Sequence, residues 1–180
     1  MKAFALLLGL GLAASVAQAH VVLDTPEAEA GKSFRAALRI GHGCDGKPTR
    51  QVIVSLPEGL RGAKPQPKPG WTLQVSKAPL KTPYESHGKP VLEDTVEVRW
   101  TANTEADYLQ DAWFDEFVLR ATAPAQPGVL WFKVRQLCTQ GEWNWAEIPS
   151  NETPKPRAPA AKLTAKLTVK PSAAQAAHVH

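Results

Sequence analysis

Lys162-Leu163-Thr164-Ala165-Lys166-Leu167-Thr168-Val169-Lys170 alternates without a break, every second residue being apolar. Side chains on a β-strand point to opposite faces in turn, so this run describes a strand with one face on a core and the other in water. Thr95-Val96-Glu97-Val98-Arg99-Trp100 and Gln51-Val52-Ile53-Val54-Ser55-Leu56 repeat the pattern. It is weaker over residues 34–40, 71–76, 113–121 and 129–136, and His20-Val21-Val22-Leu23 opens a first strand that ends near Pro26. No heptad or sustained 3.6-residue period appears. Pro57-Glu58-Gly59, Lys64-Pro65-Gln66-Pro67-Lys68-Pro69-Gly70 and Pro124-Ala125-Gln126-Pro127-Gly128 break the runs as turns or loops. Short strands at this spacing predict an all-β, two-sheet β-sandwich of immunoglobulin-like or cupredoxin-like type.

Upstream of the first strand, Lys2 precedes an apolar stretch over residues 3–16 and then Ala17-Gln18-Ala19. That order is a positive n-region, an apolar h-region and a small-x-small cleavage site, so residues 1–19 read as a signal peptide cut between Ala19 and His20. The remaining 161 residues suit one domain with a real core. The expected organisation is a sandwich over 20–150, a Pro-rich connector over 151–161 carrying Pro154, Pro156 and Pro159, a final strand over 162–170, and a disordered tail over 171–180. No later segment is apolar for 18 residues, so no membrane span is expected in the mature chain. The 21 Lys and Arg residues are dispersed among 17 acidic ones, which argues against a nucleic-acid partner. There is no internal repeat, nucleophile elbow, phosphate loop, zinc-protease motif or dinucleotide fingerprint, and hydrolase chemistry has no support.

Two cysteines, Cys44 and Cys138, in an exported chain point to one disulfide. The bridge would close a loop of roughly 95 residues, which a chain-entropy account values at about 4–5 kcal/mol. The alternative is a thiolate metal ligand. A blue-copper centre needs two histidines near the cysteine and usually an axial methionine. After Cys138 the next histidine is His178, and the one methionine is Met1. A Met-rich Cu(I) site is excluded by composition.

Cleavage after Ala19 makes His20 the first residue of the mature protein. Its α-amine and Nδ1 then close a six-membered chelate on one metal, and nitrogen donors in a tetragonal plane favour Cu(II). Asp115 and Glu116, inside Phe114-Asp115-Glu116-Phe117, are candidate carboxylates. Adjacent strand residues face opposite ways, so the inward acid is costly unless paired or metal-bound. Pairing to an arginine such as Arg120 or Arg135 is the structural alternative. Trp143 and Trp145 in Glu142-Trp143-Asn144-Trp145 share a strand face, for core packing or for shielding a copper ion. His42, within Gly41-His42-Gly43-Cys44, reads as a structural or exposed turn residue. His87 reads as an exposed loop residue, and His178 and His180 as a weak tail site.

These features together resemble the YcnI-like family of exported copper-binding domains. The resemblance rests on His20-Val21 after the cleavage site, Pro26, Gly41-His42-Gly43-Cys44 with Pro48-Thr49, Leu56-Pro57-Glu58-Gly59, Lys68-Pro69-Gly70-Trp71, Asp115-Glu116-Phe117, and Gln136-x-Cys138-x-x-Gly141 with Trp145. It spans His20 to about Pro149. It implies a β-sandwich binding Cu(II) through a single-histidine brace, with His20 as the brace, Glu116 as the leading carboxylate and Trp145 close by. Asp115, Glu142 and Glu147 are the other carboxylates it allows, and Cys44 and Cys138 match the disulfide of the cysteine-containing branch. Many relatives continue into a C-terminal membrane helix, whereas this chain ends in Ala176-Ala177-His178-Val179-His180.

The expectation is a periplasmic Cu(II)-binding protein of copper trafficking or homeostasis, exchanging copper with another periplasmic copper protein and not acting as an enzyme. Outright secretion fits the same residues. One alternative is a copper-dependent oxygenase, which needs a second histidine such as His42 or His87. Another is a non-catalytic envelope interaction domain in which His20 is incidental.

Overall fold

The computed structural model describes residues 20–153 and 155–167. The expected signal peptide over 1–19, the last residues of the expected final strand and the expected tail over 171–180 lie outside them. Eleven strands form two sheets. In chain order they are β1 (Val22–Leu23), β2 (Glu27–Glu29), β3 (Ser33–Ile40), β4 (Thr49–Ser55), β5 (Arg61–Pro65), β6 (Trp71–Ser86), β7 (Lys89–Ala102), β8 (Asp115–Thr122), β9 (Gly128–Cys138), β10 (Glu142–Trp145) and β11 (Ala161–Lys166). One sheet has the order β1-β3-β8-β5; the other runs β2-β11-β9-β4-β7-β6, with β10 also paired to β9. All ladders are antiparallel except β2 with β11. The expected two-sheet sandwich is what the chain forms.

Alternation explains how the sheets meet. On β8, Phe117, Leu119 and Ala121 are buried while Val118 and Arg120 face away from the core. On the facing sheet Val52, Val54, Val98, Trp100, Phe132, Val134 and Leu163 are buried to within a few per cent. Phe117 lies at the centre, edge-on to Trp71 at 5.2 Å and to Trp100 at 5.6 Å between ring centroids. Offset aromatic pairs of this kind add to simple area burial. The Trp100 indole donates to the Gln66 carbonyl at 3.1 Å, so its buried N–H is satisfied.

Several boundaries differ from expectation for local reasons. The strand expected from Trp113 begins at Asp115, because Trp113 N closes a turn onto the Gln110 carbonyl and leaves Trp113 and Phe114 in solvent. Ala161, expected in the connector, already pairs with Phe132, and the final strand ends at Lys166. The short runs expected over 71–76 and 95–100 are the base of one long hairpin, β6 and β7. It closes at His87-Gly88, both at positive φ (51° and 74°), the backbone of a two-residue hairpin turn.

The outer half of that hairpin bends across to β5. Gly62 N donates to Asp94 Oδ2 at 2.7 Å and to the Tyr84 hydroxyl at 3.1 Å, and Tyr84 itself donates to Asp94 Oδ2 at 2.7 Å. The Arg61 guanidinium sits over the Tyr84 ring. Burial, then the hydrogen bond and charge of Asp94, raise the Tyr84 pKa above 10. The sign follows directly. Below about pH 10 the folded and unfolded chains both carry neutral tyrosine; above it the unfolded chain loses its proton first, so this clasp loses stability as pH rises. A phenolate absorbance titration should show one tyrosine ionising late, and the late step should vanish in Tyr84→Phe. A late step that persists in that variant contradicts the assignment.

Candidate metal centre

The end of the sandwich where β1 begins and β3 finishes gathers the residues of interest. Beyond Ile40 the chain enters Gly41-His42-Gly43-Cys44 and turns through Asp45 and Gly46, both at positive φ, so that Cys44 and Lys47 exchange backbone hydrogen bonds at 3.0 and 2.9 Å. Gly43 is required by space: a Cβ there would lie 1.9 Å from the Lys47 carbonyl oxygen. Its N–H donates to Asp111 Oδ1 at 2.9 Å. Cys44 is bonded to Cys138 at the end of β9, which fixes the turn to the larger sheet. No free cysteine is present among the described residues, so the thiolate-ligand alternative falls away.

Gln136 organises the interior beside this bridge. It is fully buried on β9 and its amide is saturated by three neighbours. Nε2 donates to the His42 carbonyl at 2.6 Å and to Thr49 Oγ1 at 2.7 Å, while Oε1 accepts from Trp145 Nε1 at 3.0 Å. Trp145 is thereby held in one orientation, 2% exposed and stacked on Trp143 with centroids 5.1 Å apart.

His20 and His42 both pack against that tryptophan, each with its ring centroid 6.0 Å from it. His20 Nε2 is shielded from solvent and has no hydrogen-bond partner among the described residues. A histidine kept for packing ordinarily has its buried nitrogens satisfied; this one does not. His42 Nδ1 donates to the Gly43 carbonyl at 2.5 Å, which fixes the tautomer and leaves Nε2 with a free lone pair. Beside His20 opens a cleft of about 460 Å³ walled by Pro149, Lys155, Pro156, Arg157 and Pro159. The Pro-rich connector therefore has a defined place. Glu147 N donates to the Ala158 carbonyl, Ala160 N donates to the Glu147 carbonyl, and Glu147 Oε2 accepts from Arg157 N at 2.9 Å.

Glu147 is thus held against residues that wall this cleft, while the other candidate carboxylates are engaged by cations. Glu116 projects from the outer face of β8 and pairs with Arg35 at 2.9 Å. Asp115 accepts Lys68 at 2.6 Å and also the Glu116 N–H at 2.8 Å. Glu142 pairs with Arg135 at 3.1 Å. Glu116 and Asp115 are thus paired, by Arg35 and Lys68 in place of the Arg120 or Arg135 considered for them from sequence. Among the described residues no three His, Cys, Asp or Glu side chains converge as a metal cluster. What the site offers is imidazole, a locked tryptophan and a cleft. It offers an α-amine only when the chain is cut after Ala19. Two contributions go unread in the sequence: the hydrogen-bonding role of Gln136 and the packing of His42 on Trp145. The signal in the sequence is the place of Gln136 in Gln136-x-Cys138, part of the family resemblance.

The fold and site define an immunoglobulin-like β-sandwich braced by one disulfide. Residues 20–165 match the family described as a domain of unknown function, DUF1775, and the chain belongs to that family; YcnI-like proteins carry this domain. A protein from Nocardia farcinica, described as uncharacterized and immunoglobulin-like, has a similar structure. Its TM-score is 0.63 at 25% identity, over 83% of this chain and 99% of that one. A cohesin from Archaeoglobus fulgidus is more distant, with TM-score 0.41 at 10% identity over 89% and 98% of the two chains. No curated protein matches the sequence.

Proposed function

We propose that the mature protein is a periplasmic Cu(II)-binding protein of copper trafficking or homeostasis, with His20 as the anchoring ligand. The observation that carries this is the position of the His20 ring, packed against a tryptophan that the interior holds in place and lining a cleft beside it. In the full chain the α-amine of His20 is a peptide nitrogen. Cleavage after Ala19 frees it to chelate copper together with Nδ1. Copper here is cargo. His20 binds it, and Trp145, Trp143 and the Pro-rich wall limit water around it. Release to another periplasmic copper protein follows from ligand exchange, or from one-electron reduction to Cu(I) by an external reductant such as a small thiol, since thiolate and thioether donors, which select Cu(I), are missing from the proposed ligands. Glu116 and Asp115 can join only by leaving Arg35 and Lys68, so the proposal gives them no fixed place in the resting site. Mature protein should take up one equivalent of Cu(II), and His20→Ala should abolish that tight phase while leaving the unfolding transition in place. Equal uptake by the variant contradicts the proposal.

One observation favours a second reading, a copper-dependent oxygenase. His42 Nδ1 donates to a backbone carbonyl, the arrangement that commonly orients a metal-binding histidine through its other nitrogen. If His42→Ala changes the electron paramagnetic resonance spectrum of bound Cu(II), a two-histidine centre is in play. An unchanged spectrum removes it.

A further inference from the structure

The outer face of the smaller sheet carries an arrangement of charge that the metal site does not use. Arg35 on β3 stands opposite Arg120 on β8, and Arg120 stands opposite Lys64 on β5, so three cations lie abreast across three adjacent strands. Like charges directly opposite one another in an antiparallel pair are destabilising. Arg35 is neutralised by Glu116. Among the described residues neither Arg120 nor Lys64 forms a salt bridge. Arg120 makes one side-chain hydrogen bond, donating to Ser33 Oγ at 3.2 Å, which directs its guanidinium along the sheet and leaves further N–H groups free.

Arg120 and Lys64 line a cleft of about 580 Å³, within the range of small-molecule sites. Ser33, Thr122 and Gln66 add polar donors, and among the described residues no acidic one lines it. One wall is His87, the tip of the long β6–β7 hairpin. It sits at positive φ, where a non-glycine side chain is uncommon. The Tyr84–Asp94–Gly62 clasp holds that tip down against β5. A hairpin bent and pinned in this way converts a flat sheet face into a concavity above an uncompensated pair of cations.

We propose that this cleft binds a small oxyanion carrying at least two negative groups, through Arg120 and Lys64 with His87 as the covering wall. The planar guanidinium suits a two-oxygen contact and the lysine acts as a point charge. Carboxylates and phosphates share this chemistry, so citrate and inorganic pyrophosphate are the two probes, titrated calorimetrically into the mature protein at low ionic strength. At least one should bind saturably, and whichever binds more tightly assigns the ligand to carboxylates or phosphates. Arg120→Gln and Lys64→Gln should each weaken that binding roughly tenfold, the scale of one lost charge-assisted contact. A control change of the exposed Lys162 to Gln should leave it intact. Without ligand, both cleft variants should unfold no earlier than the wild type, because each removes like-charge repulsion. The proposal is overturned if neither probe binds, if the cleft variants bind like the wild type, or if Lys162→Gln weakens binding equally. It is also overturned if the cleft variants unfold earlier, which would make the two cations structural. Copper need not be present, so the outcome is independent of the metal proposal.

Discussion

Replacing Cys44 and Cys138 together by alanine is expected to lower the folding free energy by about 2–5 kcal/mol, with a fall in Tm on the order of 10 °C. The bridge spans a sequence separation of 94 residues, and releasing so long a loop enlarges the unfolded ensemble. The folded side of the balance also changes. Cys44 and Cys138 are both 3% exposed, so the variant leaves a gap in packed interior. The bridge also fastens the His42 turn to β9, and without it that turn is held by Gly43 on Asp111 and by Gln136 on the His42 carbonyl. Denaturant unfolding of the two proteins measures the difference. A loss smaller than about 1 kcal/mol would mean that the core alone sets the stability, contrary to the long-loop argument.

Gln136→Leu is expected to destabilise by on the order of 3 kcal/mol although leucine has nearly the same volume. The substitution takes a partner from three groups at once, stranding the Trp145 indole N–H and the His42 carbonyl and leaving Thr49 Oγ1 with the Cys138 sulfur. Buried polar groups without partners are costly, and the low-dielectric interior makes a half-satisfied network worse than none. The local consequence matters more for function. Trp145 loses the bond that sets its ring angle, and both histidines rest against that ring. Near-ultraviolet circular dichroism should lose tryptophan signal even below the unfolding transition. Under the copper proposal, affinity should fall about 10- to 100-fold, as for other supporting residues around a metal. A variant with wild-type stability and an unaltered tryptophan spectrum would show that Gln136 is a passive filler.

How far these features can be read from the sequence depends on their range along the chain. Strands β4, β9 and β11 and the base of β7 are legible because Val52 and Val54, Phe132 and Val134, and Leu163 and Ala165 keep a two-residue period with one face buried. The outer half of the β6–β7 hairpin is not legible. It carries Pro79 and Pro83 and buries little on either face, so neither composition nor alternation marks it as strand. β2 and β10 are too short for any periodicity to register. Around the site, His20 is conspicuous through the cleavage motif, and Trp145 through the family resemblance. The surroundings of Glu116 depend on a register that no local pattern encodes: β3 places Arg39 opposite it and Arg35 within reach. The same holds for Arg120 between Arg35 and Lys64, a charge ladder that appears only once three strands are aligned. His42 meets Trp145 because Gln136, 94 residues further on, donates to its carbonyl.

The most direct test of the central proposal is a Cu(II) titration, followed by electron paramagnetic resonance, of mature protein beginning at His20 beside a form with one glycine added before it. The extension blocks the α-amine chelate and leaves the sandwich, the disulfide and the histidine ring untouched. One tight equivalent of Cu(II) in the native form, lost with its spectrum in the extended form, is the predicted result. Equal binding by both forms, or none by either, would contradict the account and leave His20 a packing residue at the end of an interaction domain.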